Sequence, residues 1–211
     1  MMPKAPYVLA AAITVTVLVP VSTALAELGP KASEGFYNNS PSSIADARGD
    51  ATAMPQQIED EMGPVPAVKD YHDIIGASVQ KKGEAFFFTI YLAGNPNRNE
   101  NYETMYRWHI IISDQTTGKE QQYLILIPNF HTGNSTKDGW YFGVYDVTEG
   151  TFKTPMRKIF DMPDDRVEFP VEDLYIGNPS SFRYWAEVAV RSGSAVSGPP
   201  DYLMDYAPKV K

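Results

Sequence analysis

Two stretches of alternating side chains, 85–93 and 104–113, restrict this chain more than any other feature. In the first, Phe86, Phe88, Ile90 and Leu92 fall on one side and Phe87, Thr89 and Tyr91 on the other, because successive side chains of a strand point to opposite faces. In the second, Tyr106, Trp108, Ile110 and Ile112 share a face, while Arg107 and His109 lie opposite with Met105 and Ile111. One apolar and one mixed face is the pattern of an antiparallel sheet packed on one side. A preceding run, 74–79, reads as a third strand, and 94–101 is rich enough in Asn, Gly and Pro to be an exposed loop.

The same period continues along the chain. Gln115-Thr116-Thr117-Gly118-Lys119 turns into a strand at 121–127 whose two faces are both apolar, which marks it as central. Further strands are expected at 140–147, 151–160, 166–170 and 182–192, with a helical turn at 171–177 closed by Gly177. A short helix is expected at 55–62, and the tail after 198 is expected to lie back along the domain. About eight short strands without a long helix predict an all-β fold, an antiparallel β-sandwich of jelly-roll-like arrangement.

The beginning of the chain reads differently. Residues 1–26 combine Lys4, an apolar run at 7–19 and Ser22-Thr23-Ala24-Leu25-Ala26, the composition of a secretory signal peptide with its cleavage site. The alternative reading is an uncleaved anchor, against which Pro20 and the small residues at 22–26 count. Residues 27–43 are expected to be a flexible linker, and 44–208 the sandwich domain. The 211-residue chain carries a net charge of −8, or −9 once Lys4 leaves with the signal peptide. That balance excludes nucleic acid as a partner and favours cations. The expected location is secreted or extracytoplasmic, with no membrane insertion after cleavage. An exported chain without cysteine has no disulfides to rely on, which fits a prokaryotic protein.

Candidate sites follow from residue chemistry. Carboxylates at both ends of the domain, Asp46, Asp50, Asp73 and Asp205, are the candidates for calcium, which takes six to eight oxygen ligands. Trp140, Tyr141, Tyr145 and Trp185 offer rings on which a sugar can stack, with Arg183, Glu187 and Asn129 beside them for its hydroxyls. His72, His109 and His131 are the histidines available to a haem, a less favoured cofactor because nothing at ligand spacing pairs them. No nucleophile elbow, zinc motif or phosphate loop is present. The acid pairs Glu100 with Glu103 and Asp164 with Asp165 sit in loops, where solvated carboxylates are the rule, so no catalytic residue is assigned.

Four motifs carry a family likeness: Asp46-x-x-Gly49-Asp50, Asp73-Ile74 entering a strand, the aromatic strand 86–92 and the closing Asp205-Tyr206-Ala207-Pro208. Together they resemble the β-sandwich domains related to DOMON and family 9 carbohydrate-binding modules of exported prokaryotic proteins, over about residues 44–208. The resemblance implies a non-catalytic module for a glycan or another cell-envelope component, with sugar bound in some members of the group and haem in others. The expected function is therefore an exported ligand-binding or cell-envelope interaction module, carbohydrate-binding and calcium-stabilised. The alternative is a haem-binding redox module of the same fold group.

Overall fold

The computed structural model describes residues 34–55, 65–99, 103–114, 116–130, 138–160, 162–190 and 202–208. Within them the chain is all-β. The strands are β1 (Gly35–Asn38), β2 (Ser42–Ala45), β3 (Met54–Pro55), β4 (Ile74–Lys82), β5 (Ala85–Leu92), β6 (Thr104–Ser113) and β7 (Glu120–Phe130), followed by β8 (Gly139–Asp146), β9 (Thr151–Phe152), β10 (Arg157–Lys158), β11 (Arg166–Glu172), β12 (Ser181–Val190) and β13 (Tyr202–Ala207). No helix among the described residues is long and apolar enough to cross a membrane.

Two antiparallel sheets form the sandwich. The larger has the order β10-β8-β7-β6-β12-β13-β3, with β1 also on β12 and β9 also on β8; the smaller runs β11-β5-β4-β2. Hairpins join β4 to β5 and β6 to β7, as the turn residues between them require. The alternation decides what lies between the sheets. Phe86, Phe88 and Ile90 from β5 meet Tyr106, Trp108 and Ile110 from β6, and all six are fully buried. Aromatic pairs lock the layers: Phe88 packs edge-on against Trp108 with centroids 5.1 Å apart, and Phe142 stacks on Phe169 at 5.6 Å.

Several expectations are corrected. The carboxyl-terminal part of the expected linker 27–43 is ordered, since β1 and the start of β2 lie within it. Tyr37 explains why: it is 2% exposed, stacks on Phe182 at 4.9 Å and meets Phe86 edge-on at 5.3 Å, so one aromatic anchors a four-residue strand in polar surroundings. The expected strand 151–160 is two short strands, β9 and β10, both on the far edge of β8. The loop 94–101 is not wholly exposed, because Pro96 starts a 3-10 turn with its ring buried and Asn99 is 2% exposed. The turn expected at 171–177 is a 3-10 turn, Asp173–Ile176, closed by Gly177 at φ 76°, while Val171 and Glu172 belong to β11. Within the tail expected to lie back along the domain, residues 202–207 do so as a sheet strand, β13, hydrogen-bonded to β12. Residues 1–26, 56–62 of the expected short helix, Glu100, His131 and the end of the 182–192 strand lie outside the described residues.

Candidate functional site

The acidic residues at the two ends of the domain meet. Asp46 follows β2, and its amide donates to the Ile75 carbonyl (3.1 Å), which seats it beside β4. Gly49 adopts φ 81°, a left-handed conformation natural to glycine, and turns the chain so that Asp50 comes back toward Asp46. Asp205 lies on β13 opposite Val188, a core residue, so its side chain points into the sandwich and is fully buried. One oxygen from each of Asp46, Asp50 and Asp205 lies within 4.8 Å of the others. Calcium binds oxygen at about 2.4 Å, so two oxygens on one ion are separated by at most about 4.8 Å, the geometry found here. Charges that close repel by roughly 3 kcal/mol per pair at an effective dielectric near 20.

Asp73 borders this group without belonging to it. Its Oδ2 accepts from the Gly49 amide at 2.8 Å, placing the carboxylate against the turn that carries Asp46 and Asp50. The residue is 5% exposed, and its Oδ1 is buried without a hydrogen bond. The amide of Ile74 donates to Asp205 Oδ2 at 2.7 Å, tying the same segment to β13. Three of the four carboxylates expected to hold a cation are thus brought together. The fourth abuts them.

The aromatic residues expected to form a platform are divided between two environments. Trp140 is 5% exposed and packs on Tyr106 at 5.3 Å inside the sandwich, so it is a core residue. Tyr141, Tyr145 and Trp185 lie on the outer face of the large sheet. The register aligns Trp185, His109, Leu124, Tyr145 and Phe152 across five strands. Three strand spacings, about 14 Å, separate Trp185 from Tyr145. Tyr145 is 8% exposed beneath Phe152, and Tyr141 lies against Phe130. Asn129 is buried as well, opposite Trp140.

Around Trp185 the polar groups are concentrated. Its ring stacks on His109 with centroids 4.3 Å apart and planes 8° apart. His109 Nε2 lies 2.7 Å from Glu187 Oε1, and Arg107 Nε lies 2.5 Å from the same oxygen, close enough for an ion pair but not aligned as a hydrogen bond. Burial alone would raise the Glu187 carboxyl, but the charges of Arg107 and His109 and the hydrogen bond from His109 outweigh it and hold it at about 2. Arg183, two residues from Trp185, is engaged by Glu34 (2.7 Å) and Glu120 (2.5 Å). Arg107 escaped the sequence reading; facing Glu187 across β6 and β12, it was visible only as a charged residue on a mixed face.

A second polar group is internal. His72 Nδ1 accepts from the Lys69 amide at 3.2 Å, so its Nε2 carries the proton and donates to Thr104 Oγ1 at 3.1 Å; Thr104 in turn donates to Asn99 Oδ1 at 3.3 Å. In this tautomer His72 has no lone pair to take the Thr104 proton, so the pair does not form an activated nucleophile. Desolvation, assisted by the charge of Lys69 and opposed by Asp70, lowers His72 to about 4. Both described histidines with haem-binding potential, His72 and His109, are engaged in this way. Of the acids considered for glycoside hydrolysis, Asp164 accepts from Asn95 at 2.8 Å and Asp165 pairs with Arg166 at 3.0 Å. Burial raises the Glu103 carboxyl, with Lys69 opposing.

In comparison with known proteins, the chain matches no family model, no curated protein and no solved structure.

Proposed function

We propose that the protein is an exported, non-catalytic β-sandwich module that holds a divalent cation, calcium by its oxygen chemistry, between Asp46, Asp50 and Asp205. On this reading it meets a carbohydrate or another cell-envelope component on the outer face of the large sheet, around Trp185. The observation that carries the reading is the convergence of three carboxylates from distant parts of the chain within 4.8 Å. Carboxylates this close repel one another, a repulsion that a divalent cation relieves, and the buried Oδ1 of Asp73, on the residue that holds the Gly49 turn, adds to the negative potential. The leader-like residues 1–26 support export.

Extracellular calcium modules bind with constants of roughly 10⁻⁴ to 10⁻³ M. At 1 mM calcium this amounts to about 0.4–1.4 kcal/mol of stabilisation, or a rise in Tm of about 1–5 °C. Removing calcium with a chelator is therefore expected to lower Tm, and adding it back to restore it; an unchanged melting curve counts against the site. For the outer face the expected result is that Trp185→Ala abolishes binding on a glycan array while the protein stays folded. Trp140 is unsuited as a partner variant because it belongs to the core.

A further inference from the structure

Resting on the cation reading above, we propose that the bound ion acts as a clasp between the two sheets and controls whether the carboxyl-terminal strand β13 stays docked. The three carboxylates do not come from one layer. Asp46 follows β2 of the four-stranded sheet, whereas Asp205 belongs to β13 of the nine-stranded sheet. Asp50 lies on the connection that runs from β2 to β3. An ion held by all three therefore ties the layers together at the point where both ends of the domain meet.

The strand it secures is packed into the core through Tyr202, Met204 and Ala207, but its hydrogen-bond ladders are interrupted on one side and short on the other. Along one side β13 pairs with β12, but the ladder slips between Val188 and Ala189, next to the position of Asp205. Along the other side β3 contributes two residues, Met54 and Pro55, which face Leu203 and Tyr202, and Thr52 adds one bond to the Met204 carbonyl. Past Met204 no described strand covers that edge. Across the sandwich the Ile74 amide donates to Asp205 Oδ2 at 2.7 Å. Without a cation the mutual repulsion of Asp46, Asp50 and Asp205 acts to separate β13 from the small sheet. With one, the same charges become the attachment.

The independent sign that this corner is built for a positive charge is Asp73. It is more than nine-tenths buried, its Oδ1 has no hydrogen bond, and its other oxygen is fixed to the Gly49 amide of the Asp46–Asp50 turn. A buried carboxylate oxygen in that position lacks the donor that burial normally demands. A nearby cation supplies the missing field.

The test is hydrogen exchange of the mature protein in about 10 mM calcium and in chelator, with bound calcium measured on the same samples by equilibrium dialysis. The expected result is at least a tenfold slowing by calcium at the amides of Leu203, Met204 and Asp205 and at Asp46, with amides of Ile125 and Val144 in β7 and β8 unchanged. Asp205→Asn should show fast exchange at β13 in both conditions. Calcium bound with uniform protection, or with none at β13, overturns the clasp while leaving the cation site intact. Absence of bound calcium overturns both.

Discussion

Replacing Glu187 by alanine is expected to destabilise the protein by about 3–5 kcal/mol, lowering Tm by roughly 10 °C. Glu187 and Arg107 are 7% and 8% exposed, although both lie on the outer face of the large sheet. Removing the carboxylate leaves a guanidinium in a place where water reaches it poorly and no other described acid faces it across the strand pair. The penalty for an uncompensated buried charge exceeds what the ion pair itself contributes, so removing both partners costs less than removing one. The paired variant Arg107→Met with Glu187→Leu should recover most of the loss in a urea titration. A single variant Glu187→Ala within about 1 kcal/mol of the parent would mean that Arg107 is well hydrated, and that this face is more open than its burial indicates.

Stability is also expected to fall on mild acidification, because His72 titrates at about 4 in the fold against 6.5 when free. A depressed folded value means that the unfolded chain binds the extra proton first. The associated stability is fully present above pH 6.5 and is lost as the pH falls through 4, about 3 kcal/mol in all. The groups around the ring set the sign: Lys69 opposes the imidazolium, Asp70 favours it, and Thr104 requires a proton on Nε2, which both forms supply. Protonation at Nδ1 opposes the Lys69 amide that now donates to it. Glu187, held at about 2 against 4.5, adds a second loss in the lower window from 4.5 to 2. Urea titrations at pH 7, 5 and 3.5 should show the first decline in the parent and a flatter profile in His72→Gln. A parent profile without a decline between pH 6.5 and 4 would show that the ring is hydrated.

The strands of the central sheets were legible because their burial is one-sided. Phe86, Phe88 and Ile90, like Tyr106, Trp108 and Ile110, alternate with residues of different chemistry, and period two has one structural meaning at that length. Where both faces carry large aromatics the period is silent about which face turns inward. In β8, Trp140 and Phe142 alternate with Tyr141 and Tyr145, and nothing local distinguishes the core pair from the outer pair. Short strands were missed for another reason. β1 is four residues long and owes its place to Tyr37, whose partners Phe86 and Phe182 are distant in sequence.

The same distinction governs the candidate site. Acids near the ends of the domain were visible, and Asp46, Asp50 and Asp205 do meet. That Asp73 would abut them instead depends on the turn at Gly49, whose amide it accepts. The ion pair of Arg107 with Glu187 depends on the register of β6 against β12, two strands separated by most of the domain. No local pattern encodes such a pairing.

Equilibrium dialysis of the metal-stripped protein against calcium tests the cation site most directly. The expected result is one ion bound per chain, approaching saturation at about 10 mM calcium, and none in Asp205→Asn measured under conditions where that variant is folded. No bound calcium in the folded parent, or equal binding by the variant, would contradict it.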